Sequence, residues 1–185
     1  FLATLRKREG MGARALELVI LTACRSGEVR GAAWPEIDLQ SRLWRIPADR
    51  MKSGKEHQIP LSTAAIGLLK TIPRLDGSEL LFPSTSAGKI SDMTLTAVLR
   101  RMDVDATVHG FRSSFKDWCR NCTKYPDEVS ELQLAHVNND ATRAAYARDE
   151  LLPQRTRLMQ QWCQFLNSKQ QSAKVVPIAG FNTEH

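Results

Sequence analysis

The chain has 185 residues, 42% of them hydrophobic and 25% charged, with a formal net charge of +6 and a pI of about 9.4. That is ordinary globular material with enough chain for one full core, and a second independent domain would be small. No apolar run reaches the roughly 18 residues of a membrane span, and the basic balance favours an anionic partner such as nucleic acid.

Residues 11–24 (MGARALELVILTAC) are apolar nearly all round and rich in helix formers, which predicts a buried helix. Ser26 is placed to cap a second helix, with Glu28 in its first turn, running to about Ala33 and stopping before Pro35. The alternation of LWRI (43–46) predicts a strand, Gly54 a turn, and HQIPL (57–61) the return strand. Ser62 caps a helix of about ten residues that ends before Pro73. Residues 74–90 read as irregular, with LLF (80–82) a short strand. Further helices are expected over 91–102 with Ser91 as cap, from Thr107 or Val108 to Cys122, and from Pro126 to Ala135.

Asn138-Asn139-Asp140 reads as a turn, followed by a short helix that holds Tyr146. Pro153 opens a last amphipathic helix with Leu158, Trp162, Phe165 and Leu166 on one face. After Ser168 periodicity is lost, so residues 169–185 are expected to form a loosely ordered tail. The expected class is α+β, mainly α-helical with a small antiparallel sheet.

The four cysteines (Cys24, Cys119, Cys122, Cys163) are too sparse for a secreted disulfide scaffold and read as reduced thiols of a cytosolic protein. Cys119-x-x-Cys122 has no second Cys or His pair at finger spacing, so no metal is expected. The chain starts at Phe1 without a signal peptide, which points to a fragment or processed chain with an upstream domain missing.

Chemistry-bearing residues stand at Arg25, Lys52, His109, Arg112, His136 and Tyr146. On the helix through Phe111, Phe115, Trp118 and Cys122, the apolar residues recur at helical spacing, and His109, Arg112 and Lys116 are expected on the other side. His109 and Arg112, three apart near a helix start, can address one anion. A guanidinium at Arg25 suits a bidentate phosphate clamp. Taken singly, each residue also has an ordinary reading. Arg25 could pair with Glu28 or Glu36, the basic face could be merely solvated, and Lys52 could be an exposed turn lysine beside its rival Lys55. His136 could be a dipole-stabilised helix end, and Tyr146 a half-buried surface phenol. The only other tyrosine, Tyr125, lies between a helix and Pro126.

The ordered set Arg, Lys, His-x-x-Arg, His, Tyr, within TACRSGEVRGAAWPEIDL, HGFRSSFKDW and LQLAHVNNDATRAAY, resembles the catalytic domain of tyrosine recombinases, the phage-integrase family, and looks most like integrases of prophages and genomic islands. The resemblance covers about residues 11–166. Ala23 and Ala135 stand where many members have Gly.

The resemblance implies a recombinase catalytic domain over residues 1–168, with upstream DNA-binding domains outside this chain, that cleaves and rejoins DNA through a 3′-phosphotyrosyl link. Tyr146 would be the nucleophile, Arg25 and Arg112 the phosphate clamps, His109 the base and Lys52 the general acid, and His136 would hydrogen-bond the phosphate. No cofactor or metal is implied. Implied partners are double-stranded DNA attachment sites, a tetramer on DNA from a monomeric isolated domain, and accessory DNA-bending or directionality proteins, in a cytoplasmic setting with no membrane. The competing readings are a type IB topoisomerase, which would use the same chemistry on one strand, a non-catalytic DNA-binding module and a structural helical protein.

Overall fold

The computed structural model describes residues 1–136 and 151–168. The expected turn at 138–140, the helix holding Tyr146 and the tail from 169 therefore lie outside the described residues. Helices are α1 (Leu2–Leu5), α2 (Met11–Thr22), α3 (Ser26–Arg30), α4 (Thr63–Thr71), α5 (Asp92–Arg101), α6 (Gly110–Cys122), α7 (Asp127–Gln133) and α8 (Leu152–Asn167). The strands β1 (Ile37–Asp38), β2 (Leu43–Ile46) and β3 (His57–Pro60) form one antiparallel sheet in the order β1-β2-β3. Among the described residues no helix is long and apolar enough to cross a membrane.

α2 is the axle of the fold. Nine of its 12 residues are buried, leaving Met11, Gly12 and Arg14 partly exposed at its start, and it packs against α1, α3, α4, α5, α6 and α8. Its one buried carboxylate, Glu17, is paired with Arg6 at 2.5 Å. Most of the core gathers α2, the inner sheet face (Trp44, Ile46, Ile59), α4, α5 and Leu81–Phe82. A second cluster joins α6, α7 and α8 through Phe115, Trp118, Val129, Leu134, Leu158 and Trp162. There Phe115 meets Trp162 edge-on at 5.4 Å between ring centroids, and the Trp162 indole N–H reaches the Ile20 carbonyl of α2 at 2.8 Å.

Several boundaries move from the sequence expectation for identifiable reasons. The Ser62 cap is as expected, its hydroxyl accepting from the Ala65 N–H at 3.3 Å. Ser26 is not a cap. Arg25 occupies that position, the Glu28 carboxylate accepts its backbone N–H at 2.8 Å, and the Ser26 hydroxyl turns to Asp92 instead. α3 ends at Arg30 because the next residues pair with the 79–81 segment: Leu81 N–H donates to Ala32 and Trp34 N–H to Glu79, both at 2.8 Å. LLF thus contributes an isolated bridge, Ala33 to Leu80, instead of a strand. β1, two residues long, was not foreseen, nor was α1. Ser91 bonds the Thr94 hydroxyl, not a backbone N–H. α6 starts at Gly110, whose N–H the Thr107 hydroxyl accepts at 3.0 Å.

Two helix ends carry strain. Ala23 closes α2 at φ 55° and Ala135 follows α7 at φ 50°, both left-handed. An L-residue with a Cβ pays roughly 1–2 kcal/mol there, and these are the positions where the resembled family often has Gly. Replacing Ala135 by Gly is expected to stabilise the fold by about 0.5–1 kcal/mol, the relief of strain exceeding the added chain entropy. Urea unfolding of Ala135→Gly against the parent checks this, and a lower midpoint would contradict it.

Candidate functional site

The two cores meet where the carbonyl end of α2, the start of α3, α6 and the carbonyl end of α7 come together. The last carbonyls of a helix lack intrahelical donors and carry the negative end of its dipole. The two arginines exploit this. Arg112, on α6, is only 5% exposed, yet its guanidinium donates to the Ala23 carbonyl and, at 2.9 Å, to the Leu134 carbonyl. Arg25 donates to the Glu28 carboxylate at 2.8 Å and to the Ala135 carbonyl at 3.4 Å. The left-handed turns at Ala23 and Ala135 aim these carbonyls at the arginines.

His136, next along, places Nε2 3.5 Å from an Arg112 Nη and Nδ1 2.8 Å from the Glu131 carboxylate. Burial draws Arg112 below the ordinary guanidinium range, but an arginine side chain keeps its charge in a protein.

A cleft of about 430 Å³ opens beside this junction, lined by Arg25, Ser26, Gly27, Glu28, Arg30, Arg50, Lys52, Asp92 and His109. Three of the residues singled out from sequence share it. Of the hairpin lysines it is Lys52, and not Lys55, that lines the cleft. Its two carboxylates are already engaged, Glu28 with Arg25 and Asp92 with Arg30 and Ser26. The surplus charge is therefore positive, and an anion is the ligand it suits. Tyr125, the other tyrosine, lines a separate pocket with Cys119 and Asp127, and its hydroxyl lies 3.4 Å from Gln161. Tyr146 lies outside the described residues.

Arg112 and Lys116 of α6 are not on a solvated basic face: they are 5% and 8% exposed, because α7 packs over that side. The buried arc is broader than the apolar stripe, taking in Cys119, while Cys122 at the helix end is exposed. Lys116 donates to Asp127 at 2.7 Å, to Ser130 at 2.7 Å and to Glu131. Burial works against charge on Glu131, but the hydrogen bonds from Lys116 and His136 outweigh it and hold the carboxyl below its ordinary range.

Sequence reasoning also missed Arg155, fully buried on α8. It donates to the Gln133 side chain at 3.1 Å and to the Gln58 carbonyl. Polar residues inside an amphipathic pattern give no sign of which carbonyl they will meet. The four cysteines are free thiols, and burial pushes Cys24 and Cys119 up to about 12, which leaves them protonated at neutral pH.

The model of the phage integrase family matches residues 3–151. The chain is 35% identical to the prophage integrase IntA of Escherichia coli K12, over 80% of this chain and 37% of that protein. It is 36% identical to the integrase of Enterobacteria phage P4, over 90% of this chain and 43% of that one. The chain thus spans about two fifths of the length of these relatives. Among solved structures it resembles the integrase of mycobacterium phage Brujita, with a TM-score of 0.66 at 16% identity, over 85% of this chain and 54% of that one. A lambda integrase dimer bound to a COC′ core site gives a TM-score of 0.56 at 18% identity, over 75% of this chain and 55% of that one. At these identities the structures speak for the fold.

His57, at the start of β3, gives a pH test of this junction. Burial first, then the nearby Arg155 charge, push its pKa down to about 4, and its Nε2–H donates to the Gln133 carbonyl at 3.3 Å. The unfolded chain takes up this proton near pH 6.5. Stability is therefore full above pH 6.5, falls as pH drops toward 4, and levels off below; the loss is about 3 kcal/mol at about 1.4 kcal/mol per unit. Glu131 and Asp127, held below the ordinary carboxylate range, lose their contributions only at lower pH. Urea midpoints between pH 7 and pH 4 should show the decline in the parent and a flatter profile in His57→Asn.

Proposed function

The chain belongs to the phage integrase family, and from that membership we propose that it is the catalytic domain of a site-specific DNA recombinase, cleaving and rejoining strands to integrate or excise a prophage or genomic island. The observation that carries the reading is the meeting of Arg25, Lys52 and His109 at one cationic cleft, with Arg112 and His136 tied to it through the carbonyl ends of α2 and α7.

In the proposed reaction the Tyr146 oxygen attacks phosphorus and forms a new O–P bond, the P–O3′ bond is kept so that a 3′-phosphotyrosyl link results, and the bond to the 5′ oxygen breaks. A phenol with a pKa near 10 needs a base as the bond forms, and His109 accepts that proton. Lys52 gives a proton to the departing 5′ oxygen. Arg25 and Arg112 neutralise charge building on the non-bridging oxygens, where one preorganised donor contributes about 3–4 kcal/mol. The phosphotyrosyl bond conserves the energy of the phosphodiester, so attack by the 5′-hydroxyl of a partner strand reseals DNA without ATP. The substrate is double-stranded attachment-site DNA in the bacterial cytoplasm. Residues 1–168 serve as the catalytic unit, monomeric alone and tetrameric on DNA, with accessory DNA-bending proteins aiding assembly.

The test uses this chain with a pool of nicked suicide duplexes whose sequence around the nick is randomised. SDS-resistant protein–DNA adducts are expected from the parent and from Tyr125→Phe, both with and without excess EDTA. Tyr146→Phe is expected to bind the pool in a mobility shift yet form no adduct. Adducts from Tyr146→Phe, or their loss on chelation, would overturn the mechanism.

A further inference from the structure

We propose that Glu131 is a positioning residue for His136, fixing the ring so that Nε2 alone is presented to the phosphate. The proposal rests on the recombinase reading of the cleft and adds a residue to it. The carboxylate of Glu131 is an acceptor only, and it sits 2.8 Å from His136 Nδ1, so Nδ1 carries the proton. Nε2 is left facing the Arg112 guanidinium at 3.5 Å. In the neutral ring Nε2 accepts from Arg112, and in the imidazolium form it donates to an arriving anion. Only the imidazolium form can donate to the phosphate, and it does so through Nε2, because Nδ1 is committed to Glu131.

Glu131 is itself held. Its other oxygen takes a hydrogen bond from Lys116, whose ammonium also bonds Asp127 and Ser130, each at 2.7 Å. Lys116 comes from α6, as does Arg112, while Glu131 comes from α7. One pair of helices thus sets the imidazole and the guanidinium together. His136 is exposed, with nearly half its side chain in solvent, and without this tether the 3.5 Å approach to Arg112 is what remains to orient its ring. A surface pair contributes little to stability, so the consequence of Glu131 lies in where Nε2 points.

The first test needs no DNA. Long-range ¹H–¹⁵N spectra at about pH 8.5, well above the ordinary imidazole range, should show His136 protonated on Nδ1 in the parent. The same tautomer is expected in Glu131→Gln, whose amide oxygen still accepts, and in Lys116→Met, which removes the brace behind the pair. Glu131→Ala should lose it. A parent ring protonated on Nε2, or a tautomer unchanged in Glu131→Ala, would overturn the proposal.

The second test is the single-turnover rate of adduct formation on the suicide duplexes. Glu131→Ala should slow it about 10- to 100-fold, by analogy with the partners that orient metal-bound histidines, and Glu131→Gln should recover most of the rate. In a His136→Ala background Glu131→Ala should cost nothing further; equal losses in both backgrounds would mean a purely structural role. A parent that forms no adduct would sink the recombinase reading, and the spectra would still decide whether Glu131 sets the ring.

Discussion

The junction depends on guanidinium groups held by helix-end carbonyls. A charged side chain as buried as Arg112 must have hydrogen-bond partners, and its partners here are the uncharged carbonyls of Ala23 and Leu134. Neutral acceptors orient a cation without cancelling its charge. A carboxylate in their place would hold the arginine as well but would remove the field that an anionic ligand feels. Arg25 is treated differently: Glu28 takes part of its charge, and in return organises the first turn of α3.

The same logic explains why strain is tolerated at Ala23 and Ala135. A left-handed residue closes each helix so that the final carbonyls turn toward the arginines instead of continuing along the axis. Around this point a buried polar network ties the elements together. Gln133 donates to the Thr22 carbonyl at 3.0 Å and accepts from Arg155, while Arg155 reaches the Gln58 carbonyl of β3. α2, α7, α8 and the sheet are thereby locked in register behind the site. Satisfied networks of this kind specify one arrangement where apolar packing alone would allow several.

Local signals were most legible where one residue type meets one local requirement. The Ser62 cap and the alternating β2 needed no tertiary information, and α2 announced itself by being apolar nearly all round. The elements missed or shifted were those made by distant partners. α3 stops at Arg30 because 79–81 pairs with the backbone beyond it, and β1 is a strand only because Leu43–Trp44 runs beside it. On α6, helical spacing separated Phe115 and Trp118 from Arg112 and Lys116, but the wheel could not show that α7 would cover the charged flank.

Residue type and order by themselves determined the chemistry on offer: two guanidiniums, a lysine, two imidazoles and a phenol, each in a local frame that suits a phosphate. They also determined that α2 is a buried helix, since it is apolar nearly all round. The tertiary structure alone decided which charges remain available. Lys116, as basic as Lys52 in sequence, is consumed by Asp127, Ser130 and Glu131, whereas Lys52 lines the cleft. A charge is free or spent according to its neighbours in space, and in this chain those neighbours come from other helices.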